Sequence, residues 1–167
     1  MNRNFVEKTN IKVDLETLRN DFLKNIKHEK WKIINNRICI NTIDGNDNSN
    51  FDSSHSLVYA PYEYMIPEFK GTIWEETLNL LPGKKCRARI MIMDSFKTLD
   101  LHRDFDRRWH IALFTDPACL MIDFDENKTY HIPSDGYVYD IDTTKLHIAL
   151  NATNNITRVH LVVSQYV

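Results

Sequence analysis

The sequence lacks most of the features that would assign it quickly. Its 167 residues contain only three cysteines, Cys39, Cys86 and Cys119, and no CxxC pair. An odd number of widely spaced cysteines reads as reduced thiols in a cytosol-like compartment, and none carries the local signature of a nucleophile. The N-terminal stretch has no apolar h-region, so a secretory signal is not expected. No run approaches the ~18 apolar residues of a membrane span. The expectation is a cytoplasmic protein that makes no use of a membrane, with the sequons at Asn127, Asn151 and Asn155 unglycosylated. Lys and Arg total 21 against 23 Asp and Glu, for a net charge of -2, and no basic run or stripe marks a nucleic-acid footprint. Internal repeats and low-complexity segments are also missing. With four glycines there is no Gly-rich phosphate loop ahead of "HRDF". Together with the short chain and Trp109 where an Asn should follow Asp104, this excludes a kinase catalytic loop.

What is present suits one globular domain over 1–167. Apolar residues make up 43% and charged residues 26%, near the average for a folded protein. A chain of this size buries about 70% of its unfolded surface, enough for a core with an internal cavity. Residues 13–26 place Leu15, Leu18, Phe22 and Ile26 at helical spacing behind a candidate N-cap, Asp14. Thr72 and Glu75 form a capping-box pattern ahead of Ile73, Leu78 and Leu81, with Pro82-Gly83 as a stop. Between them, 43–56 is a polar, loop-type run. Residues 1–85 therefore read as a helical and irregular support. From 86 to 167 the period switches to alternation in eight short runs: "RARIMIM", "TLDLHRD", "RWHIALF", "CLMIDFD", "KTYHIP", "GYVYDID", "KLHIALN" and "TRVHLVV". Such spacing predicts an antiparallel sandwich or barrel, so the fold class is mainly β with N-terminal helices.

Strand alternation turns the polar residues into a geometry. His102 and Asp104 share a face. So do Arg108 and His110, His147 and Asn151, and Arg158 and His160. Trp109 and Ile111 face the other way and read as core. The four polar faces hold His, Arg, Asp and Asn but no Lys, which are residue types that bind metals and carboxylates. His-x-Asp with a later His is the 2-His-1-carboxylate set of an octahedral iron(II) with three open positions. His102, Asp104 and His147 are the candidates. An inward Arg158 follows, and its fork suits the far carboxylate of a 2-oxo acid. Iron(II), one aspartate, a dianionic 2-oxo acid and one arginine sum to zero charge, as a buried site requires.

The pieces "LHRDFDRRWHIALFTDP", "PSDGYVYDIDTTKLHIALN" and "TRVHLVV", in this order, resemble the aspartyl/asparaginyl β-hydroxylase-like branch of the iron(II)- and 2-oxoglutarate-dependent oxygenases. The likeness is strongest to short prolyl-hydroxylase-like proteins of phage and bacterial genomes and covers about half of the chain. It implies a double-stranded β-helix (the cupin or jelly-roll architecture) of about eight antiparallel strands. It implies iron held by His102, Asp104 and His147, and 2-oxoglutarate held by Arg158, with Arg108 and His110 lining its pocket. The implied reaction hydroxylates an amino acid or peptidyl residue with O2 while 2-oxoglutarate is decarboxylated to succinate. Asp104 favours the three-ligand site and argues against a halogenase, which needs that position vacated. Asn151 and Asp142 are candidates to orient the ligand histidines, and His160 and Arg103 to line the pocket or meet substrate. Asp100 faces the same way as the ligands, its role open. His131 reads as an ordinary strand residue, His28 and His55 as surface residues, and Trp31 and Trp74 as helix-packing anchors. Two other readings use the same residues. A metal-binding cupin without oxygenase activity, an isomerase or a sensor, would not need Arg158. A non-enzymatic β-sandwich binding module would leave the His/Asp set a coincidence.

Overall fold

The structure is a computed structural model that describes residues 4–28, 31–43 and 61–166. The polar run from 44 onward, including His55, lies outside the described residues. Strand β1 (Val6–Lys12) leads into helix α1 (Leu15–Asn25). Strands β2 (Arg37–Cys39), β3 (Asn41–Thr42) and β4 (Tyr64–Met65) precede a 3-10 turn at Pro67–Phe69 and helix α2 (Ile73–Leu80). The strands β5 (Lys84–Met93), β6 (Lys97–Thr98), β7 (Arg108–Phe114) and β8 (Cys119–Asp123) come next. They are followed by β9 (Lys128–His131), β10 (Tyr137–Ile141), β11 (His147–Asn151) and β12 (Arg158–Tyr166). The protein is thus mainly β with two helices among the described residues, and the strand pairings are antiparallel.

The helices start where their side chains can replace missing backbone partners. Asp14 Oδ1 accepts from Thr17 N at 3.0 Å, satisfying one of the free N–H groups of α1. Thr72 Oγ1 accepts from Trp74 N at 3.3 Å. The reciprocal bond of the expected capping box lands one residue early, because Glu75 Oε2 takes the Gly71 N–H at 2.6 Å. Gly71 can turn the chain there at φ 71.

A six-stranded sheet has the order β1-β10-β7-β12-β5-β2, and a four-stranded sheet the order β6-β11-β8-β9. The outer face of the large sheet carries Ile38, Ala88, Ile90, Trp109, Ile111, Leu161 and Val163. These pack in one cluster with Leu18 and Phe22 of α1 and Trp74 and Leu78 of α2. Trp74 is fully buried, contacts Trp31 and Phe69 at 5.7 and 6.2 Å between centroids, and donates from Nε1 to Asp21 Oδ2. A second cluster brings Met93, Ala112, Tyr139 and Ile141 of the large sheet against Met121 and Ala149 of the small one. No helix among the described residues is long and apolar enough to cross a membrane.

Two differences from the sequence reading matter for the site. Strands precede residue 86 as well as helices: β1 pairs with β10 and β2 with β5 in the large sheet. The sequence "VEKTNIK" of β1 has one face in solvent and another only half-buried, so it lacks the apolar alternation that marks a strand. Conversely, "TLDLHRD" is strand only at its first residue, Thr98, which ends β6, after which a single bridge pairs His102 with His147. Replacing Trp74 with Ala removes the largest fully buried side chain and an indole hydrogen bond. Urea unfolding is expected to show a loss of about 3–5 kcal/mol.

Candidate metal centre and its pocket

The segment from Leu99 to Asp104 is irregular, yet its backbone is pinned at three points. Leu99 N donates to Ala149 O at 2.9 Å and Asp104 N to Thr143 O at 2.8 Å. Between them, His102 and His147 exchange backbone bonds of 3.1 and 2.9 Å. This bridge sets the two imidazoles side by side, 4.5 Å between ring centroids. Asp104 completes the group, and one ligand atom from each of His102, Asp104 and His147 lies within 4.8 Å of the others.

Hydrogen bonding fixes which atoms face the centre. His102 Nδ1 donates to Asp100 O at 2.6 Å, and His147 Nδ1 to Lys145 O at 2.9 Å. A carbonyl oxygen only accepts, so each Nδ1 carries the proton and each Nε2 presents a lone pair. These Nε2 atoms sit 3.7 Å from Asp104 Oδ1 and Oδ2 respectively. Burial pushes the His147 pKa down, which keeps its ring neutral and fit to ligate. Asp104 Oδ1 accepts from Arg108 Nη2 at 2.6 Å, while Oδ2 is buried without a hydrogen-bond partner. Two nitrogen lone pairs and an orphaned carboxylate oxygen converge on one point. Together they repel one another unless a cation lies among them, so the donor set fits a divalent metal.

A pocket of about 180 Å³ opens beside this group, lined by His102, Arg108, His110, His147 and Arg158 with Met91, Met121 and Ala149 as apolar walls. Arg158 is 3% exposed and, among the described residues, forms no ion pair. Its Nη2 reaches His160 Nδ1 at 3.1 Å and Met121 Sδ at 3.8 Å. Burial draws its pKa down to about 10, which still leaves it charged at neutral pH. Because Arg158 has only protons to give, His160 Nδ1 is the acceptor, and it also lies 3.5 Å from His110 Nδ1. Burial, reinforced by the Arg158 charge, holds both histidines well below their usual pKa.

The other residues singled out in the sequence sit further out. Arg103 points away from the pocket and clamps Asp125 with two 2.8 Å bonds, tying the ligand segment to the turn after β8. Asn151 is fully buried, but its amide donates to Met93 O and Ile156 O and its carbonyl accepts from Thr153. Asp142 bonds Thr144 and pairs with Arg107. It is the backbone carbonyls of Asp100 and Lys145 that orient the ligand histidines, and Asp100 enters the site through its carbonyl rather than its carboxylate. A main-chain carbonyl is common to every residue, so no sequence signal could have marked these two.

No family model and no curated protein matches the chain. Among solved structures, a 2OG-Fe(II) oxygenase family oxidoreductase from Burkholderia pseudomallei is 12% identical with a TM-score of 0.44, covering 77% of this chain and 66% of that one. The viral collagen prolyl hydroxylase from Paramecium Bursaria Chlorella virus-1, in its 2OG complex, is 12% identical with a TM-score of 0.46, covering 97% of each. AviO1 from Streptomyces viridochromogenes is 13% identical with a TM-score of 0.49, covering 98% of this chain and 90% of that one.

Two outcomes follow from the geometry. Asp104→Ala and His147→Ala are each expected to lower divalent-metal affinity roughly 100-fold or more, read calorimetrically with manganese(II). The second concerns His110 and His160, held neutral in the fold but protonated near pH ~6.5 in the unfolded chain. Below that pH the unfolded state binds more protons, so stability falls as the pH is lowered. Urea unfolding between about pH 7 and pH 5 should register up to about 1.4 kcal/mol per pH unit for each histidine. A flat profile would mean that burial does not lower their pKa values in the fold.

Proposed function

We propose that this protein is an iron(II)- and 2-oxoglutarate-dependent dioxygenase that hydroxylates an amino acid or a peptidyl residue, with 2-oxoglutarate decarboxylated to succinate. The observation that carries this reading is Arg158, a buried guanidinium with no ion pair among the described residues, lining the same pocket as His102 and His147, which gather with Asp104. A buried cation without a counter-ion costs several kcal/mol, so its retention beside a metal-binding group calls for an anion. The far carboxylate of 2-oxoglutarate supplies one, matched to the arginine fork. A metal-binding cupin without oxygenase activity would have no use for that charge.

In this reading His102 Nε2, His147 Nε2 and Asp104 Oδ2 hold the iron and leave positions open toward the pocket. The bound iron supplies the activation of O2 coupled to oxidation of the 2-oxo acid. The chain's own residues orient and exclude. Asp100 O and Lys145 O fix the ligand rings, and Arg108 holds the second oxygen of Asp104. This places Arg108 on the ligand carboxylate, with His110 on the pocket wall. His160 Nδ1 accepts a hydrogen bond from Arg158 Nη2 and so aims the fork. Met91, Met121 and Ala149 keep water from the reacting end. The two antiparallel sheets are read as a double-stranded β-helix, and the order of motif pieces favours the aspartyl/asparaginyl β-hydroxylase-like branch.

The test combines iron(II), 2-oxoglutarate and O2 with amino acids and short peptides and measures succinate. Arg158→Gln is expected to weaken 2-oxoglutarate binding about 10- to 100-fold while metal binding stays unchanged. Metal binding with no 2-oxoglutarate binding in the unaltered protein would decide for the cupin reading.

A further inference from the structure

A second group of cations lies on the inner face of the large sheet, on β5 and β2, the two strands beyond the β12 that carries Arg158. Cys39 of β2 is paired with Arg89 of β5, and Arg89 with Val162 of β12, itself paired with His110 of β7. Arg37 stands two residues before Cys39 and Arg87 two before Arg89, so alternation puts all three arginines on this face. They come from two separate segments of a chain whose net charge is -2. The gathering is therefore local and owes nothing to a generally basic surface.

Their donors are left over. Arg87 Nε and Nη1 and Arg89 Nε are buried with no hydrogen-bond partner. Among the described residues none of the three arginines forms an ion pair, and Arg89 is only 4% exposed. Arg108, the next cation on the face, is committed to Asp104 and Asp106. Burial first, and mutual repulsion second, lower the pKa of Arg37 and Arg89, and burial lowers that of Arg87. Each orphaned donor is destabilising, and like charges packed together add to it. Arg37 also lines the metal pocket, next to Asn35 and Asn36. Those two residues form the tight turn of the Ile34–Arg37 hairpin, both at positive φ (50 and 59). The arginine group thus begins with Arg37 in the pocket lining, opposite Met91, and continues along β5 through Arg89 to Arg87, beyond the residues that line the pocket.

We infer that the substrate of this site carries an oxyanion, a phosphate or a carboxylate, which docks on Arg37 and Arg87 with Arg89 behind them. This deepens the oxygenase reading, which supplies the reaction, but the anion site itself needs neither metal nor 2-oxoglutarate. An oxyanion offers several acceptor oxygens to planar donors, and guanidinium forks match that geometry. Neutral peptidyl residues would leave these charges unmet. A free amino acid, through its carboxylate, or a phosphorylated substrate would not.

The experiment uses the full chain without added metal or 2-oxoglutarate, at constant ionic strength set with chloride. Inorganic phosphate and acetate are titrated separately, with calorimetry and thermal unfolding as readouts. Arg158→Gln is included so that binding at the co-substrate position is separated out. Phosphate is expected to bind the unaltered protein and Arg158→Gln alike, and at least ~10-fold more weakly to Arg37→Gln and to Arg87→Gln. Arg37→Lys should recover part of the loss by keeping the charge. Arg89→Met should raise the anion-free Tm by roughly 3 °C and abolish the further rise given by phosphate. A response to phosphate alone assigns a phosphorylated substrate, and a response to acetate as well assigns a carboxylate. No response to either anion, or equal responses in the Arg37→Gln and Arg87→Gln variants, overturns the inference. If the phosphate response holds but the unaltered protein, given metal separately, binds no 2-oxoglutarate, the oxygenase reading fails and the anion site stands.

Discussion

Two backbone hydrogen bonds between His102 and His147 hold the centre of this protein together. They join an irregular segment to a strand of the four-stranded sheet, and they do so at the two residues whose side chains must meet. Without that bridge, the stretch between β6 and β7 would keep only its bonds at Leu99 and Asp104, and nothing would set the two imidazoles side by side. Backbone pairing sets the ligand spacing, and side-chain chemistry then sets the ligand atoms. The carbonyls of Asp100 and Lys145 take the Nδ1 protons, which turns both Nε2 lone pairs toward the carboxylate. The precision of the group thus rests mostly on main-chain atoms.

The large sheet gives its two faces opposite tasks. One face is apolar and packs beneath the helices, with Trp74 as its largest plug. The other carries Arg158, His160, Arg108 and His110, together with Arg37, Arg87 and Arg89. A sheet face this rich in buried donors is a poor contributor to stability. The apolar face has to supply what the inner face does not, and in β12 both faces are buried from Arg158 to Ser164.

Much of this is legible in the sequence because a strand's side chains alternate. "RWHIALF" and "TRVHLVV" separate by that rule into one face of Arg and His and one of Trp, Ile, Leu and Val, and the pocket and the core use those faces. The helix at Leu15–Asn25 is legible from its apolar spacing and its Asp14 cap. Other parts are not. The segment around His102 keeps the alternation of its side chains without being a strand, so the rule gives the right side for the wrong reason. Asn151 shares a face with His147, but an asparagine amide can imitate a peptide group, and here it ties β11 to Met93 and Ile156. Strands β1 and β2 are hidden because their sequences follow no apolar period. The gathering of Arg37 with Arg87 and Arg89 is hidden because it depends on which strands become neighbours, information that no single stretch contains.

The strand order has one more consequence, and it concerns the margins of the sheets. The outermost strands are β1 and β2 in the large sheet and β6 and β9 in the small one. Three of them are four residues long or shorter. The longer one, β1, carries Lys8 and Lys12, while Arg37, Lys97 and Lys128 mark the other three. Unpaired strand edges invite pairing with another chain, and short length and basic side chains discourage it. The unpromising charged sequence of the first strand, which conceals it from any search for apolar alternation, is the same property that lets it close the sheet without offering a template for aggregation.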